Sequence, residues 1–196
     1  MQSIILASQS PRRKQLLEWA EVPFEIIVKE TDESFPAEMP VEEVPIYIAR
    51  HKAVGVKRFI GGSGTHTIKT ILAADTVVVL DNLVIGKPKD REDAVNILTS
   101  LSGKTHRVIT GVVLLHAKGE VAFADITSVE FHPLTREQIE FYVDKYKPYD
   151  KAGAYAIQEW IGVVGIKSVN GDFYNVMGLP VSRVVQELNK IEPRFF

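Results

Sequence analysis

The chain has 196 residues, of which 45% are apolar and 24% charged, with 23 basic and 25 acidic side chains. This composition is typical of a soluble globular protein, and the net charge of −2 argues against a surface that coats nucleic acid. The absence of cysteine excludes disulfides, thiolate nucleophiles and cysteine-bound zinc. Because no apolar run has the length of a membrane span and the N-terminus lacks a signal-peptide pattern, we expect a cytoplasmic protein without membrane or nucleic-acid partners.

The first part of the chain alternates strand and helix patterns. Ser3–Ala7 and Phe24–Val28 are short apolar runs that predict strands. Between them, Ser10 stands at the N-cap of a predicted helix that begins at Pro11 and ends near Ala20.

The middle of the chain contains the strongest strand pattern. The apolar spacing of residues 44–59 predicts a helix, and the glycine-rich residues 61–64 predict a connector. Ile71–Leu80 predicts a long strand, followed by a turn at Asp81-Asn82 into a short strand, Leu83–Ile85.

The next segment predicts a helix and a long hairpin. Asp90–Leu101 has a helical pattern with an acidic first turn. Arg107–His116 and Val121–Phe131 are β-rich runs separated by a turn signal. Because hairpins require antiparallel strands, we expect a mixed sheet rather than a purely parallel one.

The last part adds two helices and a β-like run. A capping-box pattern opens a predicted helix at Thr135–Tyr146. Residues 162–169 predict a strand, and a final helix follows Pro180. The fold class predicted from these elements is α/β.

Asp75 is the most informative single residue. It lies inside the apolar run Ile71–Leu80, where an ionised carboxylate is costly without a partner. Asp75 is therefore a candidate general base or metal ligand. The alternative is a structural aspartate that accepts hydrogen bonds from backbone amides at a strand bulge.

Several hydroxyl and basic residues could bind phosphate. Ser8, Ser10, Arg12 and Arg13 stand between the first strand and the N-terminus of the first helix, an arrangement that suits a polyphosphate. An ordinary capped helix with solvated arginines is the alternative. Lys87 follows a predicted strand in a Gly-Lys-Pro segment, where it is a phosphate contact or a solvated turn lysine.

Other polar segments allow both a functional and a structural interpretation. The carboxylates of Glu30, Asp32 and Glu33 could hold a hard divalent cation, or form a solvated acidic turn. Lys52 by itself is typical of a solvated helix face. Gln158 follows a segment of small residues that would admit a base ring, or would pack tightly in a core.

Together these segments resemble the Maf family of nucleoside triphosphate pyrophosphatases. The similarity follows chain order over nearly the whole length. The motifs that carry it are Ser8-Gln9-Ser10-Pro11-Arg12-Arg13, Asp32-Glu33, Ala49-Arg50-His51-Lys52-Ala53, Ala74-Asp75-Thr76, Gly86-Lys87-Pro88, Leu101-Ser102-Gly103-Lys104-Thr105-His106, residues 150–158 and Val176-Met177-Gly178-Leu179-Pro180.

The resemblance implies a fold and a reaction. The fold is a single two-lobed domain over residues 1–196, with a mixed, bent sheet flanked by helices and a central cleft, similar to inosine triphosphatases. The reaction converts a nucleoside triphosphate to a monophosphate and pyrophosphate with a divalent cation, Mg²⁺ or Mn²⁺. Arg12, Thr76 and Gln158 occupy the selectivity positions of the dTTP and UTP branch. The 7-methyl-GTP branch carries an aromatic residue, a glutamine and an acidic residue there.

The resemblance also implies residue roles. The catalytic residues are Asp75 as general base, Glu33, Lys52, Lys87 and Arg13. The substrate-binding residues are Ser8, Ser10, Arg12, Thr76 and Gln158, with Gln158 at the pyrimidine edge. The divalent cation is held by Glu33 and Asp75.

Two alternatives and two departures accompany this interpretation. The alternatives are a nucleotide-binding regulator of cell division without turnover, and an inosine-type triphosphate pyrophosphatase. The intact catalytic set argues against the first and the selectivity trio against the second. Glu159-Trp160 follows Gln158 where the family usually has glycine, and Gln9 replaces a small residue in the first loop. A homodimer is left open.

Overall fold

The computed structural model describes residues 3–61 and 69–193. The strands are β1 (Ile4–Leu6), β2 (Phe24–Ile26), β3 (Ile71–Leu80), β4 (Leu83–Ile85), β5 (Thr105–His116), β6 (Gly119–Phe131) and β7 (Ile166–Asn170). The helices are α1 (Pro11–Trp19), α2 (Val44–Gly61), α3 (Arg91–Leu101), α4 (Arg136–Tyr146), α5 (Trp160–Gly165), α6 (Phe173–Met177) and α7 (Val181–Ile191), with a 3-10 turn at Ala152–Ala154. Within the described ranges, no helix combines the length and hydropathy needed to cross a membrane.

The strands form one mixed sheet. Its order is β2-β1-β3-β5-β6-β7, and β4 pairs with β3. β1 is parallel to both of its neighbours, so that Ile5 lies opposite Glu25 on one side and Ile71 on the other. β3 and β4 are antiparallel, as are β6 and β7. The predicted α/β class with a mixed sheet flanked by helices is therefore confirmed.

The chain forms two compact units. The first comprises residues 1–75, 110–125 and 178–196, and the second comprises residues 76–109 and 126–177. The boundary lies inside β3, so that Asp75 belongs to the first unit and Thr76 to the second.

The first unit is built on close packing of α2 against the sheet. Ala49, Ala53 and Val56 of α2 are buried in one cluster with Ile5 of β1 and other apolar strand residues. Small residues at this face let the helix approach the strands closely, and the apolar contact is the main stabilising term. This apolar face fixes the helix that carries Lys52, and Lys52 lies at its edge, one turn from both Ala49 and Val56.

The hairpin and the capping box are confirmed. Asp81 and Asn82 have φ angles of 50° and 64°, the left-handed conformation that a two-residue hairpin turn requires. At the start of α4, Gln138 N donates to Thr135 Oγ1 at 3.3 Å and Thr135 N donates to Gln138 Oε1 at 2.9 Å. Both features depend on neighbours in sequence, which is why the pattern predicts them well.

The prediction of a strand over residues 162–169 is wrong in its first half. Residues 160–165 form α5, and the strand starts only at Ile166. The β-branched Val163 and Val164 favour a strand, but the preceding turn leads the chain into a helix, in which Val163 is 80% exposed. The 3-10 turn and α6 had no prediction, and residues 62–64 of the predicted connector lie outside the described residues.

Candidate functional site

A lysine ammonium between two carboxylates is the central feature of the first unit. Lys52 Nζ lies 2.7 Å from Asp75 Oδ1 and 2.7 Å from Glu33 Oε1. The side chains of Lys52 and Asp75 are only 16% and 14% exposed, whereas that of Glu33 is 49% exposed. Lys52 therefore supplies the partner that a largely buried Asp75 requires, and the interpretation of Lys52 as a solvated helix residue is wrong.

The segment that precedes Glu33 contacts α2 at two further positions. Lys29 Nζ lies 3.8 Å from the centre of the Phe59 ring. Two residues on, Thr31 packs against Gly55, where a Cβ would lie 3.0 Å from Thr31 Cγ2. Glu33, two residues further along, contacts Lys52 of the same helix. A cation–π contact and a close approach at glycine thus position Glu33.

Asp32, the residue before Glu33, forms a local turn. Asp32 Oδ1 accepts a hydrogen bond from Ser34 N at 2.9 Å, and Asp32 Oδ2 accepts one from Ser34 Oγ at 2.6 Å. These bonds lower the pKa of Asp32, the side-chain bond most of all. Within residues 3–61 and 69–193, no three acidic or histidine side chains are arranged to hold a metal ion. A cation site at Glu30, Asp32 and Glu33 stays a prediction.

A buried arginine organises the loop after β1. Arg13 Nη1 donates to Ser8 Oγ at 3.1 Å, and Arg13 Nε donates to the carbonyl oxygen of Gly178 at 2.8 Å. The pKa of Arg13 is lowered by burial, and the nearby charges of Asp75 and Glu33 offset part of this effect. Arg13 therefore lies within the electrostatic field of the carboxylates, with its guanidinium oriented by two hydrogen bonds.

Ser10 differs from its predicted capping role. It stands at the N-cap of α1, before Pro11, but its side chain makes no capping hydrogen bond. Instead, Ser10 N donates to Ser8 Oγ at 3.2 Å. Arg12, the next predicted binding residue, is half-buried on α1. The loop is thus ordered by the Ser8 hydroxyl, and the Ser10 hydroxyl does not cap the helix.

The remaining predicted residues lie in the second unit. Thr76 follows Asp75 on β3 and is half-buried. Lys87 is exposed in the segment after β4, and Gln158 is exposed in the turn before α5. The roles of Thr76, Lys87 and Gln158 in catalysis and substrate binding stay predictions.

Sequence reasoning missed a polar network in the second unit. Lys151 is 8% exposed, and its Nζ lies 2.8 Å from Asp150 Oδ1 and 3.6 Å from Glu159 Oε1. The hydroxyl of buried Tyr142 donates to Glu159 Oε2. The sequence signal for this network was Glu159, which stands where the family usually has glycine. Tyr142 gave no such signal, because it fits the apolar pattern of α4 as a core residue.

The two carboxylates around Lys52 also meet the chemical requirements of a hard cation. The two contacts involve one oxygen of Glu33 and one of Asp75. Mg²⁺ is typically held by one or two carboxylates together with substrate phosphates and water. This donor set therefore fits a divalent ion whose coordination is completed by a bound triphosphate.

Comparison with known proteins identifies the family. The model of the family described as Maf-like protein matches residues 3–191. The dTTP/UTP pyrophosphatase of Cytophaga hutchinsonii is 49% identical over 188 residues, which cover 96% of this chain and 84% of that protein. The dTTP/UTP pyrophosphatase of Bacteroides thetaiotaomicron is 47% identical, with 96% and 95% covered, and that of Porphyromonas gingivalis is 46% identical, with 94% and 92% covered. The chain therefore belongs to the Maf family.

Proposed function

We propose that this protein is a cytoplasmic pyrophosphohydrolase that converts dTTP and UTP to the monophosphate and pyrophosphate. The observation that carries the proposal is the Lys52 ammonium shared by Glu33 and Asp75, in a chain whose relatives are named dTTP/UTP pyrophosphatases. The net charge of −2 supports free nucleotides rather than nucleic acid as substrates.

The proposed reaction is attack of water on the α-phosphorus. The new bond joins the water oxygen to the α-phosphorus, and the bond from the α-phosphorus to the bridging oxygen breaks. Pyrophosphate leaves with the electron pair, and the Asp75 carboxylate accepts the proton of the attacking water. Lys52 holds one carboxylate oxygen of Asp75 at 2.7 Å, which supports this role because an oriented base needs no rearrangement during the reaction.

The basic residues are proposed to bind the triphosphate and stabilise the leaving pyrophosphate. Ser8, Ser10, Arg12 and Arg13 lie at the N-terminal end of α1, whose dipole favours negative charge. Lys52 and Lys87 are proposed to neutralise the charge that develops in the transition state.

A divalent cation, Mg²⁺ or Mn²⁺, is proposed to bind at Glu33 and Asp75. It would polarise the α-phosphoryl group or the attacking water. The carboxylate oxygens of the two residues support this proposal, since hard cations prefer such ligands.

The first expected result concerns products. With Mg²⁺ or Mn²⁺, the purified protein should convert dTTP and UTP to monophosphate and pyrophosphate, as measured by anion-exchange separation of nucleotides and a pyrophosphate assay. The same panel should include GTP, ITP and 7-methyl-GTP, with a chelator-treated sample as control. Orthophosphate with a diphosphate product would contradict the proposed bond cleavage. No turnover would favour the regulator, and a preference for ITP the inosine-type enzyme.

The second expected result concerns selectivity. Gln158 has both donor and acceptor atoms for a pyrimidine edge, whereas the carboxylate of Gln158→Glu only accepts. A base carbonyl facing it would lose its partner, at a cost of about 1–3 kcal/mol, or roughly 5- to 150-fold in binding. We therefore expect the ratio of kcat/KM for dTTP to that for GTP to fall.

The matched control is Gln186→Glu, the same change at an exposed residue of α7. It should leave the dTTP to GTP ratio unaltered. If Gln158→Glu also leaves the ratio unaltered, Gln158 does not read the base, and selectivity resides in Arg12, Thr76 or the Glu159-Trp160 pair.

A further inference from the structure

One phenol holds both ends of the turn that presents Gln158. We call residues 156–159 the Gln158 turn. Ala156 N donates to the Tyr142 hydroxyl oxygen at 3.1 Å, and the same hydroxyl donates to Glu159 Oε2. Glu159 N also donates to the carbonyl oxygen of Ala156 at 3.1 Å, which closes the turn. Gln158 lies between these anchored residues, with its side chain exposed.

The anchor itself is buried and packed. Tyr142 is 0% exposed and lies in the middle of α4. Its ring stacks on that of Tyr146, with centroids 5.0 Å apart and planes at 22°. A buried aromatic ring has few accessible rotamers, so the position of its hydroxyl is set by the packing of the helix.

A buried lysine holds the other carboxylate oxygen of Glu159. Lys151 Nζ lies 3.6 Å from Glu159 Oε1, so the carboxylate contacts the phenol with one oxygen and the ammonium with the other. The carboxylate of Glu159 therefore has a defined orientation, which a glycine at this position could not supply.

An exposed glutamine on a short turn gains affinity for a ligand when its backbone is already ordered. Ordering a loop and a long side chain on binding costs free energy, and a preorganised turn avoids part of that cost. A backbone anchored on both sides of Gln158 limits the positions that its carboxamide can take.

We propose that Tyr142 and Glu159 are positioning residues for nucleotide selectivity, which hold the Gln158 turn so that the Gln158 carboxamide meets the pyrimidine base. This inference rests on the proposed function of Gln158. Tyr142 and Glu159 act through Gln158 and make no contact with the reacting phosphates in this proposal.

The central variant is Tyr142→Phe, which removes one oxygen and keeps the ring. It leaves Ala156 N–H and the Glu159 carboxylate without the phenol, so the turn loosens. We expect KM for dTTP to rise about 5- to 30-fold while kcat stays within about twofold, because binding rather than chemistry is affected. The kcat/KM for GTP should change by less than about twofold, so the dTTP to GTP ratio falls. Tyr146→Phe, which keeps the stacked ring of the same helix, is the matched control and should leave the ratio unaltered.

A double-mutant cycle separates positioning from general destabilisation. In the Gln158→Ala background, adding Tyr142→Phe should keep the dTTP to GTP ratio of kcat/KM within about twofold of that of Gln158→Ala alone. The reason is that the side chain that Tyr142 positions is already gone. Glu159→Gln keeps an acceptor for the phenol and should retain more of the selectivity than Glu159→Ala. This second pair of variants carries the test if Tyr142→Phe fails to fold.

The outcomes distinguish the inference from the proposed function. A wild-type protein without preference for dTTP over GTP would overturn the selectivity role of Gln158, and the inference with it. If the preference is present but Tyr142→Phe lowers only the melting temperature, or lowers the ratio equally with and without Gln158, the inference alone is wrong. If Glu159→Ala and the wild type have the same dTTP to GTP ratio of kcat/KM, the inference is also wrong.

Discussion

Asp75→Asn is expected to lower kcat for dTTP by about 10²- to 10⁴-fold, because it removes the proposed general base and keeps its size. Lys52 Nζ lies 2.7 Å from Asp75 Oδ1, and the asparagine amide oxygen can still accept a hydrogen bond from it. The fold should therefore be retained. The measurement is single-turnover hydrolysis of dTTP, together with thermal unfolding of both proteins.

The control for Asp75→Asn is the same change at Asp125, which pairs with Arg183 at 3.4 Å in the first unit. Asp125→Asn should keep activity within about twofold of wild type, since an ion pair of this exposure contributes little. Retention of more than about a tenth of wild-type activity in Asp75→Asn would return this aspartate to a structural role.

Lys52→Met is expected to reduce both activity and stability. Glu33 and Asp75 lose their shared cation, and the Asp75 side chain is only 14% exposed. Leaving a partly buried carboxylate without its partner should lower the free energy of unfolding by about 1–3 kcal/mol. The loss of phosphate charge neutralisation should lower kcat/KM for dTTP by about 100-fold or more.

A second substitution separates these two effects of Lys52→Met. Adding Glu33→Gln removes one of the two carboxylates that the lysine held, so the double variant should unfold at a higher temperature than Lys52→Met alone, without recovering activity. Lys69→Met, which breaks an exposed pair with Glu25, is the surface control and should have little effect. Recovery of activity in the double variant would show that Lys52 serves stability alone.

Local features of this fold could be predicted from sequence because the interacting groups are close in the chain. The turn at Asp81-Asn82 requires two residues that tolerate the left-handed conformation, and both positions have positive φ. The capping box of Thr135 and Gln138 involves residues three apart. Pro11 begins α1 because its missing N–H has no helical partner at that position.

The candidate site was only partly predictable, because its contacts join distant segments. The partner of Asp75 lies 23 residues away, and the carbonyl that orients Arg13 lies 165 residues away. A lysine on a helix has the same local pattern whether it is solvated or holds two carboxylates. The residues of this site were therefore identified by family resemblance, and their pairing by the structure.

The sequence by itself determined the α/β class, most helix and strand positions, and the set of residues available for phosphate and base recognition. Only the tertiary structure decided which carboxylates face Lys52 and that Tyr142 anchors the residues around Gln158. It also decided that residues 160–165 form a helix despite their β-branched side chains. The physical reason is that periodicity and capping depend on neighbours within about one helical turn, whereas burial and charge pairing depend on packing between segments far apart in the chain.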